Sequence, residues 1–250
     1  CKTTETTENV EYNSEDSKDG FYPVSSKKVK EFLNFTKELE NSAGSFSGNF
    51  SMLIKSGPGL NTKDSLNGKI YFDKATGKVK IQLLDPFFGL ILSQIISDSE
   101  TIRIKPLGSD KIQTLPMGDI IMKDPSSGKA IPIPFPVIYH TITLNFSQEF
   151  STKGTLVNPT ERKVKLKKGV DEFLYTFYDS GLESLEFTSG AKNLQAKSKV
   201  SESSKKGEHP PSRLLTRVTE INSGKDFSFV DIQYKNINKK ESIPESVFRF

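Results

Sequence analysis

Period-two alternation is the feature that most constrains what this chain can fold into. In Phe46–Lys55 the residues Phe46, Phe50, Met52 and Ile54 share one face, and Ile70 and Phe72 do the same within Lys69–Asp73. The turn Ala75-Thr76-Gly77 then leads into Val79, Ile81 and Leu83, so these last two segments read as a hairpin. Further strand-like runs fall near residues 101–105, 111–115, 139–146, 162–168, 172–178, 182–188, 192–199, 213–221 and 227–237. So many short alternating segments, with no repeat of fixed period, call for a large antiparallel sheet, strongly curved or rolled into an open barrel.

One helix is predicted, from Ser26 to Asn41. Val29, Phe32, Leu33, Thr36 and Leu39 recur at helical spacing, and Lys28, Lys30, Glu31, Lys37 and Glu38 face outward. Ser25 or Ser26 caps its start and Gly44 is placed to end it. Its apolar stripe should cover the sheet. Two segments interrupt the strand pattern. Leu115–Pro136 holds Pro116, Pro125, Pro132, Pro134 and Pro136, too many for a central strand, with Met117–Met122 as a candidate short helix. Ser201–Ser212 is polar and reads as a surface loop that carries His209.

The N-terminal end points to a membrane. Cys1 is the single cysteine of the 250 residues, so no internal disulfide can form. A chain that begins at a cysteine is the expected product of signal-peptide removal before a thiol that carries diacylglycerol. From Lys2 to about Gly20 the sequence is Thr, Glu, Ser, Asn and Asp with almost nothing apolar, and such a segment cannot offset its ordering entropy by burial. The expected organisation is a lipidated cysteine and flexible tether over residues 1–22, then one domain over 23–250.

Charge and chemistry narrow the function. The net charge is +4, and the first twenty residues carry six carboxylates against two lysines, so the remainder bears about +8. A basic body beside a bilayer suits anionic headgroups. The run Arg162–Lys168 places Val164 and Leu166 on one face and Lys163, Lys165 and Lys167 on the other. That face is either a solvated strand surface or a contact for anionic lipid, and it lacks the interleaved aromatics of a nucleic-acid platform. The histidines are His140, inside a strand-like run, and His209. No zinc spacing, phosphate loop or nucleophile elbow is present, so no catalytic residue, metal or cofactor is expected. The stretch Asp85-Pro86-Phe87-Phe88-Gly89-Leu90-Ile91-Leu92 sets two phenylalanines at a turn, with apolar residues behind them. It either packs inward or projects to touch acyl chains.

The order of several short motifs resembles one superfamily. A helix precedes F-S-G-N-F-S-M (46–52), then G-K-I-Y-F-D (68–73), K-V-K-I-Q-L-L (78–84), D-P-F-F-G (85–89) and S-E-T-I-R-I (99–104). Ala130-Ile131-Pro132-Ile133-Pro134 follows, and Asp231–Asn238 with Ile243–Phe250 closes the chain. This order resembles the lipoprotein carriers typified by LolA and LolB, although the chain has no tryptophan, an extra phenylalanine in its turn and an unusually charged 201–212 loop. The resemblance implies a mainly β (α+β) fold, a half-open antiparallel barrel with helices covering its concave face. It implies a cavity that receives acyl chains of lipoproteins or lipids, with Phe50, Met52, Ile54, Ile70, Phe72, Val79, Ile81 and Leu83 as candidates. Alternation alone leaves open which face is concave. It makes Phe87, Phe88, Leu90, Ile91 and Leu92 a candidate membrane-insertion loop, and Cys1 favours the LolB type, a lipoprotein of the outer membrane facing the periplasm. Lys2 and Thr3 do not resemble an inner-membrane retention signal. A periplasmic carrier is the further partner implied. The competing reading is a surface-exposed lipoprotein that uses the same scaffold to bind host or envelope proteins.

Overall fold

The alternating segments join one fourteen-stranded sheet in the computed structural model, which describes residues 19–118, 120–123, 130–133, 135–201 and 209–250. Its first half comprises β1 (Tyr22–Pro23), β2 (Ser45–Ser56), β3 (Thr62–Asp73), β4 (Lys78–Leu84), β5 (Ile91–Ser97), β6 (Thr101–Pro106) and β7 (Gln113–Pro116). β8 (Ile120–Lys123) and β9 (Ala130–Ile133) form a separate two-stranded hairpin. The rest comprises β10 (Leu156–Asn158), β11 (Lys163–Lys168), β12 (Asp171–Phe177), β13 (Leu182–Ser189), β14 (Leu194–Val200), β15 (Arg213–Glu220) and β16 (Asp226–Lys240). The order across the sheet is β1-β10-β11-β12-β13-β14-β15-β16-β2-β3-β4-β5-β6-β7. Every pairing is antiparallel, and β1 and β7 are left as edges, so the sheet is curved but not closed. Tyr22 and Pro23 already pair with Val157 and Leu156, so the folded body begins at or before Tyr22.

Register carries the apolar face across the whole sheet. Phe46 lies opposite Phe72, Ile70 opposite Ile81, Ile81 opposite Ile95, Met52 opposite Ile232 and Phe173 opposite Phe187, and all of these are buried. Gly68 lies opposite Phe50, and a Cβ there would stand 2.1 Å from Cζ of that ring. Glycine is required because the Phe50 ring lies directly over β3.

Three helices fill the concave side: α1 (Lys30–Ser42), α2 (Phe135–Thr143) and α3 (Phe146–Phe150). α1 follows a short 3-10 turn capped by Ser26 and buries Phe32, Thr36 and Leu39, as its periodicity predicts. It ends because Ala43 turns extended at ψ 130°, not through a left-handed Gly44. Every residue of α2 is buried, and a helix enclosed all round has no amphipathic stripe. For that reason the period does not reveal the helix, and Tyr139–Thr143 is helical where alternation predicts a strand over 139–146. Met117–Met122 likewise differs from expectation, since Ile120–Met122 belong to β8 and no helix forms there. The prolines do stay out of the central strands, with Pro116 on edge strand β7 and Pro132 in the separate hairpin.

The C-terminal tail straps the convex side. Ile243 and Phe248 pack on Ile96 and Tyr71, and Lys80 Nζ donates to the Arg249 carbonyl at 2.6 Å. Asp73 accepts from Ile243 N, Thr76 and Ser45. Burial would raise the Asp73 pKa, but these donors outweigh it and hold the carboxyl below its ordinary range.

Candidate functional site

The concave apolar face and α2 enclose a small cavity. Of the eight residues predicted to line one, Phe50, Met52, Ile70, Ile81 and Leu83 do so. Ile54, Phe72 and Val79 are buried in the surrounding core but do not border it. Ile95, Ile232 and Tyr234 complete the floor, and Phe135 and Ile138 of α2 form the ceiling. Among these residues the hydroxyl of Tyr234 is the single side-chain polar group, so the lining suits hydrocarbon and fixes no headgroup. The cavity volume is about 40 Å³. For comparison, an apolar cavity on the order of 150 Å³ binds one benzene ring. Phe135 and Ile138 thus close over most of the space between α2 and the sheet.

What holds α2 in place is polar. Tyr139 Oη donates to the Gly77 carbonyl in the β3–β4 turn at 2.8 Å. The His209 ring sits edge-on against Phe46 and Phe72 and bonds through Nε2 to the Ile142 carbonyl. His209 is therefore a buried clamp on α2, contrary to the surface position its polar neighbours predict. The rest of the charged stretch, 202–208, lies outside the described residues. His140 is also buried, edge-on to Tyr139 and Phe173, with Nδ1 3.7 Å from Glu149 Oε1. Burial pushes both histidines down to about 4, so both are neutral near pH 7. Glu149, buried on α3, pairs with Lys168 at the end of β11. The residues Tyr139, His209 and Glu149 carry no sequence signal that separates them from ordinary core or loop residues.

Beside the apolar cavity along α2 lies a second, polar cavity of about 250 Å³. Tyr139 and Thr143 border it from the helix, with Lys74, Thr76, Glu40 and Gln148 around them. Thr143 Oγ1 is buried there without a hydrogen-bond partner.

The apolar turn projects. Phe87 and Phe88 are 86% and 83% exposed, Leu90 and Ile91 are exposed as well, and Leu92 is half-buried behind them. Asp85 Oδ1 accepts from Phe87 N and Phe88 N, while Asp85 N donates to Leu90 O, so the turn is held open by its own hydrogen bonds. The basic strand has the predicted faces, with Val164 and Leu166 buried. Its lysines are paired, Lys163 with Glu161, and Lys165 and Lys167 with Glu172, which is the arrangement of a solvated strand face. Cys1 lies outside the described residues. Among the described residues no group of three or more His, Cys, Asp or Glu is gathered as a metal site would need, and no helix is long and apolar enough to cross a membrane.

No protein-family model matches the sequence, and no curated protein is significantly similar to it. Among solved structures, a LolA superfamily protein from Nitrosomonas europaea matches with a TM-score of 0.53 at 11% identity, over 87% of this chain and 97% of that one. A DUF1329 family protein from Desulfovibrio piger gives a TM-score of 0.38 at 12% identity, over 88% and 97% of the two chains. An uncharacterized conserved protein from Thermus thermophilus gives 0.34 at 9%, over 90% and 94%. The first of these matches shows a LolA-like fold for this chain.

Proposed function

We propose that this protein is a lipid-anchored, non-enzymatic, LolB-like receptor that takes up acyl chains of lipoproteins or lipids and helps place them in the outer membrane. The observation that carries the reading is the wholly apolar space between the sheet and α2, in a LolA-like fold. Uptake requires α2 to move, because its own Phe135 and Ile138 fill the volume. The projecting Phe87–Ile91 turn serves delivery, since each ring loses roughly 1.5–3 kcal/mol of hydrophobic stabilisation by standing in water. Cys1 supplies the anchor, the residues before the folded body the tether, and a periplasmic carrier hands over the cargo. The body then faces the periplasm from the outer membrane.

The test is a transfer assay with a fluorescent acylated peptide and acceptor liposomes, comparing the parent with a Phe87→Glu, Phe88→Glu variant. The parent should load and deliver, whereas the variant should load but not deliver. A parent that never loads would remove the carrier reading altogether.

A further inference from the structure

In an antiparallel meander successive turns alternate between the two rims of the sheet, and here the rims differ in chemistry. The β4–β5 turn presents Phe87, Phe88, Leu90 and Ile91, and the neighbouring β6–β7 turn presents Leu107 and Ile112. Leu107 N donates to Leu92 O, which ties these two turns side by side. Further along the same rim stand Ile221 in the β15–β16 turn, Phe227 at the start of β16 and Val170 at the β11–β12 turn. Nine of the eleven exposed large apolar residues among the described ones therefore lie at one rim, in turns or at the first residues of strands, and the other two, Leu115 and Leu156, lie on β7 and β10 away from it. The opposite rim carries Lys74–Gly77, Asp98–Glu100 and Tyr178–Gly181, and among the described residues no exposed large apolar side chain stands there.

We propose that the apolar rim as a whole is a docking face for an anionic lipid bilayer, reaching well beyond the single β4–β5 turn. The inference rests on the membrane-facing part of the function proposed above and is independent of cargo uptake. Three features select a bilayer over a protein partner. The apolar groups sit on separate convex tips, which a fluid interface accommodates and a protein surface would have to match pocket by pocket. Lys63, Lys105, Lys111 and Lys225 stand on or beside the tips. Of the neighbouring carboxylates, Asp85 is held by the turn amides and Asp226 by Arg217 at 3.8 Å, while Asp110 is exposed beside Lys111. The far rim carries mixed charge instead, with Asp98 held by turn amides, Asp179 paired with Arg162 at 3.3 Å, and Lys74 present as well as Glu100, so orientation rests on the apolar tips.

The sequence contains no tryptophan, so a single introduced indole reports without background. The full chain with Cys1→Ser, which no lipid can anchor, is prepared with Phe88→Trp, Leu107→Trp, Phe227→Trp or, on the far rim, Asp179→Trp. Each is mixed with phosphatidylethanolamine–phosphatidylglycerol vesicles that carry brominated acyl chains. The first three should shift to the blue and be quenched at least about twofold, as interfacial aromatics would be, while the fourth stays unchanged. Replacing phosphatidylglycerol by phosphatidylcholine should weaken binding severalfold. Quenching confined to Phe88→Trp, equal quenching at Asp179→Trp, or indifference to lipid charge would overturn the proposal. Binding of a fluorescent fatty acid, measured on the same proteins without vesicles, separates the two readings. Its loss with the quenching pattern intact sinks the carrier and leaves the docking face.

Discussion

Tyr139→Phe isolates the movement that uptake demands. The substitution deletes one hydroxyl and its 2.8 Å hydrogen bond to the Gly77 carbonyl, while the ring keeps its contacts with Phe135 and His140. A hydrogen bond of this kind contributes roughly 0.5–1.5 kcal/mol net. It exists with α2 seated and is absent with α2 displaced. Two effects of opposite sign follow from that one difference. The melting temperature should fall by about 2–4 °C for each 1 kcal/mol lost in a chain of this size. The apparent affinity for an acyl chain should rise, because the displaced state becomes easier to reach, and about 1 kcal/mol corresponds to a fivefold lower Kd. Calorimetry gives the first quantity and titration with a fluorescent fatty acid the second. A lower melting temperature with unchanged or weaker binding would refute the argument, since α2 would then stay seated while the chain binds elsewhere.

Gly68→Ala should cost about 1–3 kcal/mol in chemical denaturation, because the new Cβ meets the Phe50 ring at 2.1 Å and the Gln82 carbonyl at 2.8 Å. Lys168→Met should destabilise far more than Glu149→Gln, by about 3–5 kcal/mol against about 1 kcal/mol. The first change strands a buried carboxylate, whereas the second leaves Lys168 in contact with solvent. Equal losses in urea titrations would contradict that assignment. Acidification should destabilise the fold between about pH 6.5 and pH 4, where unfolded histidine takes up protons and buried His140 and His209 do not. The loss is about 3 kcal/mol per histidine once pH falls below the folded values, so a His209→Gln variant should show a flatter stability profile across that window.

The strands around the cavity were legible because one of their faces is buried and the other is not. Phe50, Met52, Ile70, Ile81 and Leu83 alternate with polar residues, and register alone brings them together across β2, β3 and β4. α1 was legible for the equivalent reason at helical spacing. α2 was not. Val137-Ile138-Tyr139-His140-Thr141-Ile142 is apolar and β-branched in composition, and burial on every side erases the period that would distinguish helix from strand. Its end carries no glycine or asparagine, since Leu144 itself adopts the left-handed conformation at φ 46°. His209 and Glu149 were hidden for another reason. Their roles depend on a carbonyl 67 residues away in one case and on a lysine from another strand in the other. The Phe87–Phe88 turn was visible as an anomaly, but its outward direction depends on the Asp85 hydrogen bonds.

If uptake proceeds as proposed, α2 is the element that would move. The sheet lining is locked by continuous antiparallel pairing from β16 through β2 to β5, so widening the apolar cavity from below would break ladder hydrogen bonds along several strands. From above, the barrier is one nine-residue helix. That helix has about 40 Å³ of apolar space on its Phe135–Ile138 side and about 250 Å³ of polar space on its Tyr139–Thr143 side. Under the proposed uptake, displacement of α2 from the sheet would vacate volume where hydrocarbon fits, while Thr143, whose hydroxyl is unpartnered, already borders the polar cavity with Lys74, Glu40 and Gln148. In the proposed function, cargo would compete with the protein's own Phe135 and Ile138 for the same apolar surface, and its net affinity would be the difference between two similar burials. A small difference would suit hand-over, because α2 returning to its seat would leave no empty apolar cavity to oppose release.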